Sequence, residues 1–128
     1  MRLLFDTHFL IGFANDALTP HQRKIIDACS DAELHLASVA SLWEIAIKFR
    51  IGKLKLDADL AKLPDMLEAY GFSLLAINET HALETLHEPA ETKDPFDGIL
   101  LAQCQVERLQ LVTIDRTLSK HPLAWRAP

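Results

Sequence analysis

This 128-residue sequence contains few of the residues that mark several protein classes. With two cysteines and four glycines, it indicates neither a disulfide scaffold nor a glycine-rich disordered chain. Cys29 and Cys104 lie on separate apolar helical stretches, and we expect both to be reduced. No CxxC motif is present and the six histidines lack zinc-type spacing, which argues against a structural zinc site.

Long apolar runs are also missing. No uninterrupted apolar run approaches the ~18 residues of a membrane span. Met1-Arg2 leads into a strand-like segment rather than the apolar core of a signal peptide. A hydrophobic content of 49% predicts an ordered chain with a sizeable core, and the length fits a single domain over residues 1–128. We therefore expect one cytoplasmic domain without a membrane segment.

The chain lacks overall basic character. Its formal net charge of −5 argues against a general nucleic-acid coat but is compatible with a nuclease, because bound cations offset an acidic metal centre. Such a nuclease needs local cations to contact RNA, and the candidates are Lys48, Arg50, Lys53, Lys55 and Arg116. The first four also fit the end of a helix, where the dipole favours positive charge, so both interpretations stay open.

The most informative stretch runs over residues 94–115. Asp94 fits a helix N-cap, Pro95 the first helical position, and Asp97 the positive end of the dipole. A helix over 95–108 would rise roughly 20 Å, and a strand over 110–114 would return ~17 Å. Asp97 and Asp115 are therefore predicted at the same end of this unit.

The rest of the chain alternates strand and helix patterns. Strands are predicted over 2–6, 33–37 and 72–77, with an edge strand over 122–125. Helices are predicted over 7–15, 20–28, 39–52, 57–70 (with Pro64 as a kink or break) and 78–86. Thr19, Ser38 and Asn78 fit N-caps, and Gly52 and Gly71 fit helix ends. This order predicts a parallel α/β sandwich.

Acidic residues recur at one predicted edge of that sheet. Asp6 follows the first strand, and Glu44 lies about a turn and a half into the helix after the second strand. Each has a structural alternative, because Asp6 could only cap a helix and Glu44 could only pair with Lys48 in solvent. Together with Asp97 and Asp115 they predict a site for Mg²⁺ or Mn²⁺, which prefer oxygen ligands. Such ions suit phosphodiester hydrolysis.

Five stretches of the chain resemble the PIN domain family of metal-dependent ribonucleases, and within it the VapC-type toxins of bacterial toxin–antitoxin pairs. They are 4–8 (LFDTH), 41–48 (SLWEIAIK), 94–97 (DPFD), 100–103 (LLAQ) and 111–115 (LVTID), and they occur in the family's order. The resemblance implies a PIN-like three-layer α/β/α sandwich. Its central sheet would be mainly parallel and have four to five strands.

The resemblance also assigns roles to individual residues. It implies that Asp6, Glu44 and Asp97 bind Mg²⁺ or Mn²⁺, with Asp115 as a more variable fourth acid. The expected supporting residues are Thr7 and Thr113, which would hydrogen-bond a metal-bound water, and Asp94, which would mainly cap its helix. Relatives often carry Arg directly after the last core acid, where this chain has Gly98.

The family further implies an endoribonuclease acting on structured RNA such as transfer or ribosomal RNA. It implies a homodimer and a cognate antitoxin, for which the apolar helices near the N-terminus and over 57–70 are candidate surfaces. A haloacid-dehalogenase-type phosphatase is disfavoured because His8 stands where a second Asp is required. A receiver domain is disfavoured because it requires a phosphorylatable Asp after the third strand, where this chain has Ile77-Asn78. A non-catalytic binding module and a DNA-directed nuclease remain alternatives.

Overall fold

The structure, a computed structural model, describes residues 1–128 and is built on a four-stranded parallel sheet. The strands are β1 (Arg2–Phe5), β2 (Leu34–Ser38), β3 (Ser73–Leu75) and β4 (Gln110–Val112), in the order β3-β2-β1-β4. The chain adds β2 and β3 on one side of β1 and then crosses to place β4 on the other side. The strand order therefore reverses between β1 and β4, where open α/β sheets usually bind ligands.

Six helices surround the sheet. They are α1 (Thr7–Ala14), α2 (Pro20–Ala28), α3 (Val39–Arg50), α4 (Leu63–Ala69), α5 (Glu79–Leu83) and α6 (Pro95–Glu107), with 3₁₀ helices at Leu60–Lys62 and Leu118–Lys120. The N-caps predicted from the sequence are confirmed at Asp6, Thr19, Ser38, Asn78 and Asp94, whose side chains each accept a backbone N–H. No helix combines the length and the apolar character needed to cross a lipid bilayer.

Two hydrophobic cores lie on opposite faces of the sheet. Leu3 and Phe5 of β1 pack in the core that includes α1 and α4, whereas Leu4, between them, packs in the core that includes α6. This alternation follows from the period of two in a strand. The predicted three-layer α/β/α architecture is therefore confirmed, and Cys29 and Cys104 are buried and unpaired as predicted.

The predicted strands were too long at their carboxyl ends. β3 stops at Leu75 and β4 at Val112, because the following residues turn away to hydrogen-bond with side chains of the sheet edge. The predicted edge strand over 122–125 is reduced to one parallel bridge, between Leu111 and Ala124. β4 is therefore the last regular strand of the sheet.

The predicted helix over 57–70 was wrong in its first half. Residues 53–59 are not helical, a 3₁₀ turn follows, and α4 begins only at Leu63. Pro64 lies in the first turn of α4, where its missing N–H costs no hydrogen bond, so it starts this helix rather than kinking it. Gly71, with φ of +100°, follows the helix end as predicted.

Candidate metal centre

A small cavity of about 80 Å³ opens at the carboxyl edge of the sheet. We call it the acidic cavity. It is lined by Asp6, Thr7, His8, Glu44, Lys48, Asp94, Asp97, Asp115 and Leu118. The four acids predicted as ligands therefore meet in one place, although they come from four separate segments of the chain.

Asp6 combines a structural role with a place in the cavity. Its Oδ1 accepts the backbone N–H of His8 at 3.0 Å and of Phe9 at 3.4 Å, and so caps α1. Its Oδ2 accepts the hydroxyl of Thr113 at 2.5 Å. Burial of Asp6, which is 3% exposed, raises the pKa of this carboxyl. The N-cap and the candidate ligand are thus the same side chain, with its geometry fixed from both oxygens.

Glu44 pairs with Lys48 as predicted, but the predicted position of this pair in solvent is wrong, because the Glu44 side chain is buried. It is 4% exposed, its Oε1 accepts the Thr7 hydroxyl at 2.8 Å, and its Oε2 lies 2.5 Å from Lys48 Nζ. The hydrogen bond to Glu44 raises the pKa of Lys48. Ser41, one turn earlier on α3, lies 2.9 Å from the Thr7 hydroxyl and completes this chain of contacts.

Asp97 lies in the first turn of α6 and is half-buried. Loss of water raises its pKa to about 6, and the neighbouring charges of Asp94, Asp115 and Glu44 act in the same direction. A hydrogen bond from the Thr92 hydroxyl, at 3.2 Å, opposes this effect. The carboxyl of Asp97 is therefore harder to ionise in the folded protein than in water, first because of its burial and then because of the neighbouring acids.

The remaining two acids of the cavity also cap backbone turns. Asp115 accepts the backbone N–H groups of Thr117 and Leu118, both at 2.9 Å, and Asp94 accepts that of Phe96 at 2.9 Å. One oxygen of each carboxylate therefore holds the local chain. This arrangement sets the position of the carboxylate at the cavity wall.

The donor set of the cavity fits a hard divalent cation, because it offers carboxylate oxygens and no thiolate. No three acidic, histidine or cysteine side chains yet stand close enough together to form a complete ligand shell. Thr113 hydrogen-bonds Asp6, and Thr7 and Lys48 hydrogen-bond Glu44. Cation binding at Glu44 would require Lys48 to move aside.

The predicted basic residues are not gathered around the cavity. Lys48 alone among them lines it. Arg50 lines a separate groove between α3 and α4, and Lys53, Lys55 and Arg116 are exposed. The structure thus separates Lys48, by its place in the cavity, from the rest of the predicted patch.

Several residues of the site were missed in the sequence. Ser41 could have been found, because it lies one helical turn before Glu44 and so shares its face. Thr92 lies in an irregular loop and gave no comparable signal. At Gly98, a Cβ atom would meet no other atom within 4 Å, so the departure from the relatives leaves open space beside Asp97.

Comparisons with known proteins agree with this fold. A chain of a toxin–antitoxin complex from Klebsiella pneumoniae shares the fold, with a TM-score of 0.66 and 18% sequence identity over 98% of both chains. A search of curated proteins gives no match. The family model for the PIN domain matches residues 3–122. PIN domains are generally nucleases that use divalent metal ions, and this chain belongs to the PIN domain family.

Proposed function

We propose that this protein is a metal-dependent endoribonuclease that acts as the toxin of a toxin–antitoxin pair. The observation that carries the proposal is the convergence of Asp6, Glu44, Asp97 and Asp115 on one cavity at the carboxyl edge of the sheet. Membership of the PIN family supports nuclease activity. The shared fold with a chain of a toxin–antitoxin complex supports the toxin role and an antitoxin partner. We further propose that the protein forms a homodimer.

The proposed cofactor is Mg²⁺ or Mn²⁺, and the proposed substrate is structured RNA such as transfer or ribosomal RNA. A divalent ion held by these carboxylates would lower the pKa of a water molecule and stabilise charge on the leaving oxygen. Asp6 and Glu44 would hold fixed positions, since each is buried and hydrogen-bonded by a threonine. Thr113 and Thr7 would therefore orient ligand carboxylates, rather than a water directly.

Lys48 would act both in the free protein and in the complex with RNA. In the present arrangement its ammonium neutralises the Glu44 oxygen that a cation would need. Once released, this ammonium would be available to an RNA phosphate at the cavity, because 40% of the Lys48 side chain is exposed. A single lysine would then compensate the acids in the free protein and bind the backbone of the substrate during the reaction.

The decisive test is induction of the protein in a bacterial host, followed by sequencing of new RNA 5′ ends. We expect growth arrest and discrete new ends with the wild type, and neither with Asp6→Asn or Asp97→Asn. Asp65→Asn is the matched control, because Asp65 is an exposed acid on α4 outside the cavity. It should behave as the wild type.

Assays with purified protein separate the remaining alternatives. RNA and DNA of the same sequence, compared with Mg²⁺ and with Mn²⁺, distinguish a ribonuclease from a DNA-directed nuclease. An Asp6→Asn protein that folds and cleaves RNA at the wild-type rate would refute the proposed mechanism. Absence of divalent-cation binding by the wild type would favour a non-catalytic binding module.

A further inference from the structure

Two aromatic side chains meet between α3 and α6, each one residue before an acid that lines the acidic cavity. The rings of Trp43 and Phe96 lie 5.7 Å apart, centroid to centroid, at an interplanar angle of 82°. Trp43 is 60% exposed although tryptophan is usually well buried, and Phe96 is partly buried. We call these two residues the aromatic pair.

Each member of the aromatic pair directly precedes an acid of the cavity in the sequence. Trp43 directly precedes Glu44 on α3, and Phe96 directly precedes Asp97 on α6. The pair therefore spans the two helices that supply these carboxylates. In an edge-to-face contact the edge of one ring packs against one face of the other, and the Trp43 side chain, which is 60% exposed, retains surface for another flat group.

We propose that the aromatic pair is a nucleobase subsite, in which an unpaired base next to the scissile phosphate stacks on Trp43 while Phe96 supports the ring. This inference rests on the proposed ribonuclease function. A phosphodiester placed in the cavity has to carry its neighbouring nucleotides over the surrounding surface, and Trp43 and Phe96 each directly precede an acid of the lining. Unpaired bases of RNA are commonly held by stacking on aromatic side chains, largely without regard to base identity.

The surroundings of the pair favour an RNA base over an apolar protein segment. Lys48 lines the same cavity and supplies a positive charge for the adjoining backbone phosphate. The other large apolar side chains exposed near the end of α3, Phe49 and Ile51, lie five and seven residues beyond Glu44. The aromatic pair differs from them in directly preceding two acids of the cavity and in joining the helices that carry those acids.

The test uses a synthetic RNA hairpin that carries the cleavage site mapped in the host experiment. Trp43→Ala should weaken binding of this hairpin by roughly 5- to 150-fold, the range of one lost base stack. Trp43→Phe should retain most of the affinity, because it keeps an aromatic face. Phe49→Ala, which removes an exposed aromatic from the same helix, should have no effect.

A series of hairpins that each lack one base separates stacking from a structural role. With the wild type, loss of one base beside the cleaved bond should reduce binding as much as Trp43→Ala does. Trp43→Ala should then be insensitive to that same loss, because the two changes remove one interaction. Divalent-cation affinity should be equal in both proteins.

Three results would overturn the inference. The first is an additive effect of Trp43→Ala and base removal at every position. The second is a change of oligomeric mass in Trp43→Ala, which would assign Trp43 to a subunit interface. The third is loss of antitoxin binding with RNA binding intact. Failure of the wild type to cleave any RNA would refute the ribonuclease itself, and is thus distinct from these outcomes.

Discussion

The molecule contains two clusters of buried polar side chains, and they differ in charge. In the acidic cavity, the pKa values of Asp6 and Asp97 are both raised, mainly because burial removes water from the carboxylates. The second cluster, which we call the Gln103 network, consists of Ser38, Gln103, His81 and Glu107. It joins β2, α5 and α6, and its hydrogen-bond donors are paired with hydrogen-bond acceptors.

Hydrogen bonding alone does not distinguish the two clusters, since no buried side-chain nitrogen or oxygen lacks a partner. Ser38 donates to Gln103 Oε1 at 2.6 Å, and Gln103 Nε2 donates to the Ala76 carbonyl at 3.3 Å. His81 Nε2 lies 2.8 Å from Glu107 Oε2. The Gln103 network is therefore suited to hold the fold together, whereas the acidic cavity brings five acids near one another with Lys48 as the only lysine or arginine of its lining.

Asp6→Asn should give the largest effect and separate activity from stability. We expect more than about a 100-fold loss of RNA cleavage, because even residues that only support metal ligands usually contribute 10- to 100-fold. Folding should be retained or improved, since Asn is an equally good N-cap for α1 and removes a crowded charge. Single-turnover cleavage and urea unfolding measure the two quantities.

The contrary outcome for Asp6→Asn is a loss of stability that matches the loss of activity. The acidic cavity would then be part of the stabilising core, and the contrast between the two clusters would fail. Asp65→Asn again serves as the control, with both quantities expected at wild-type values.

Gln103→Leu should produce the opposite pattern. Gln103 is fully buried, and its loss leaves the Ser38 hydroxyl and the Ala76 carbonyl without their partner. We expect the free energy of unfolding to fall by about 1–3 kcal/mol. Cation affinity, measured by calorimetry, should stay unchanged.

Gln105→Leu is the matched control for Gln103→Leu. Gln105 also bonds the backbone through its amide, donating to the Thr85 carbonyl at 2.9 Å, but this contact is exposed to solvent. Its replacement should change the free energy of unfolding by less than about 0.5 kcal/mol. Equal losses in the two variants would show that burial of the Gln103 network contributes nothing.

The convergence of the acids could be predicted because it depends on chain direction. Asp6 and Asp115 follow parallel strands that share an edge, and the first turn of α6 returns Asp97 to that edge. The N-caps could be predicted because they are local. These features need only short-range chemistry and the rule that parallel strands end on one side.

The Gln103 network could not be predicted, because its contacts depend on tertiary register. Ser38 and Gln103 are 65 positions apart, and no local pattern indicates that a glutamine on α6 meets the cap of α3. The non-helical conformation of residues 57–59 was missed for a similar reason, since Asn15 holds this part of the chain through the Lys55 carbonyl and the Asp57 N–H. Such long-range hydrogen bonds override local helix propensity.

The raised pKa of Asp97 should make the free energy of unfolding depend on pH. Its pKa of about 6 lies above the ordinary value of 3.8, so the folded protein binds this proton more tightly than the unfolded chain. The corresponding stability is fully present below about pH 4 and is lost as the pH rises through about 6. Urea unfolding of the metal-free protein from pH 4 to 7 should show this loss, and Asp97→Asn should reduce it, leaving the part that comes from the raised pKa of Asp6.

Cation affinity should rise with pH, whereas the stability falls, because both depend on the same proton on Asp97. Because a proton on Asp97 competes with a metal ion, affinity for Mn²⁺ should rise between pH 5 and pH 7, by up to about tenfold per unit below pH 6. Calorimetry at three pH values measures this trend. A pH-independent affinity would show that Asp97 is not a ligand.

Lys48→Met should give the smallest effect, and it tests whether Lys48 moderates the charge of the acidic cavity. Lys48 occupies Glu44 Oε2, so its removal frees an oxygen for the cation and removes a competing positive charge. An ion pair with one partly exposed partner is worth less than about 1 kcal/mol, so affinity for Mn²⁺ should tighten by only about 2- to 5-fold. RNA cleavage at saturating Mn²⁺ should nevertheless fall, because the phosphate loses its ammonium partner.

Lys53→Met, which removes an exposed lysine outside the cavity, should alter neither quantity. Weaker Mn²⁺ binding by Lys48→Met would mean that Lys48 organises the acids for the cation instead of competing with it.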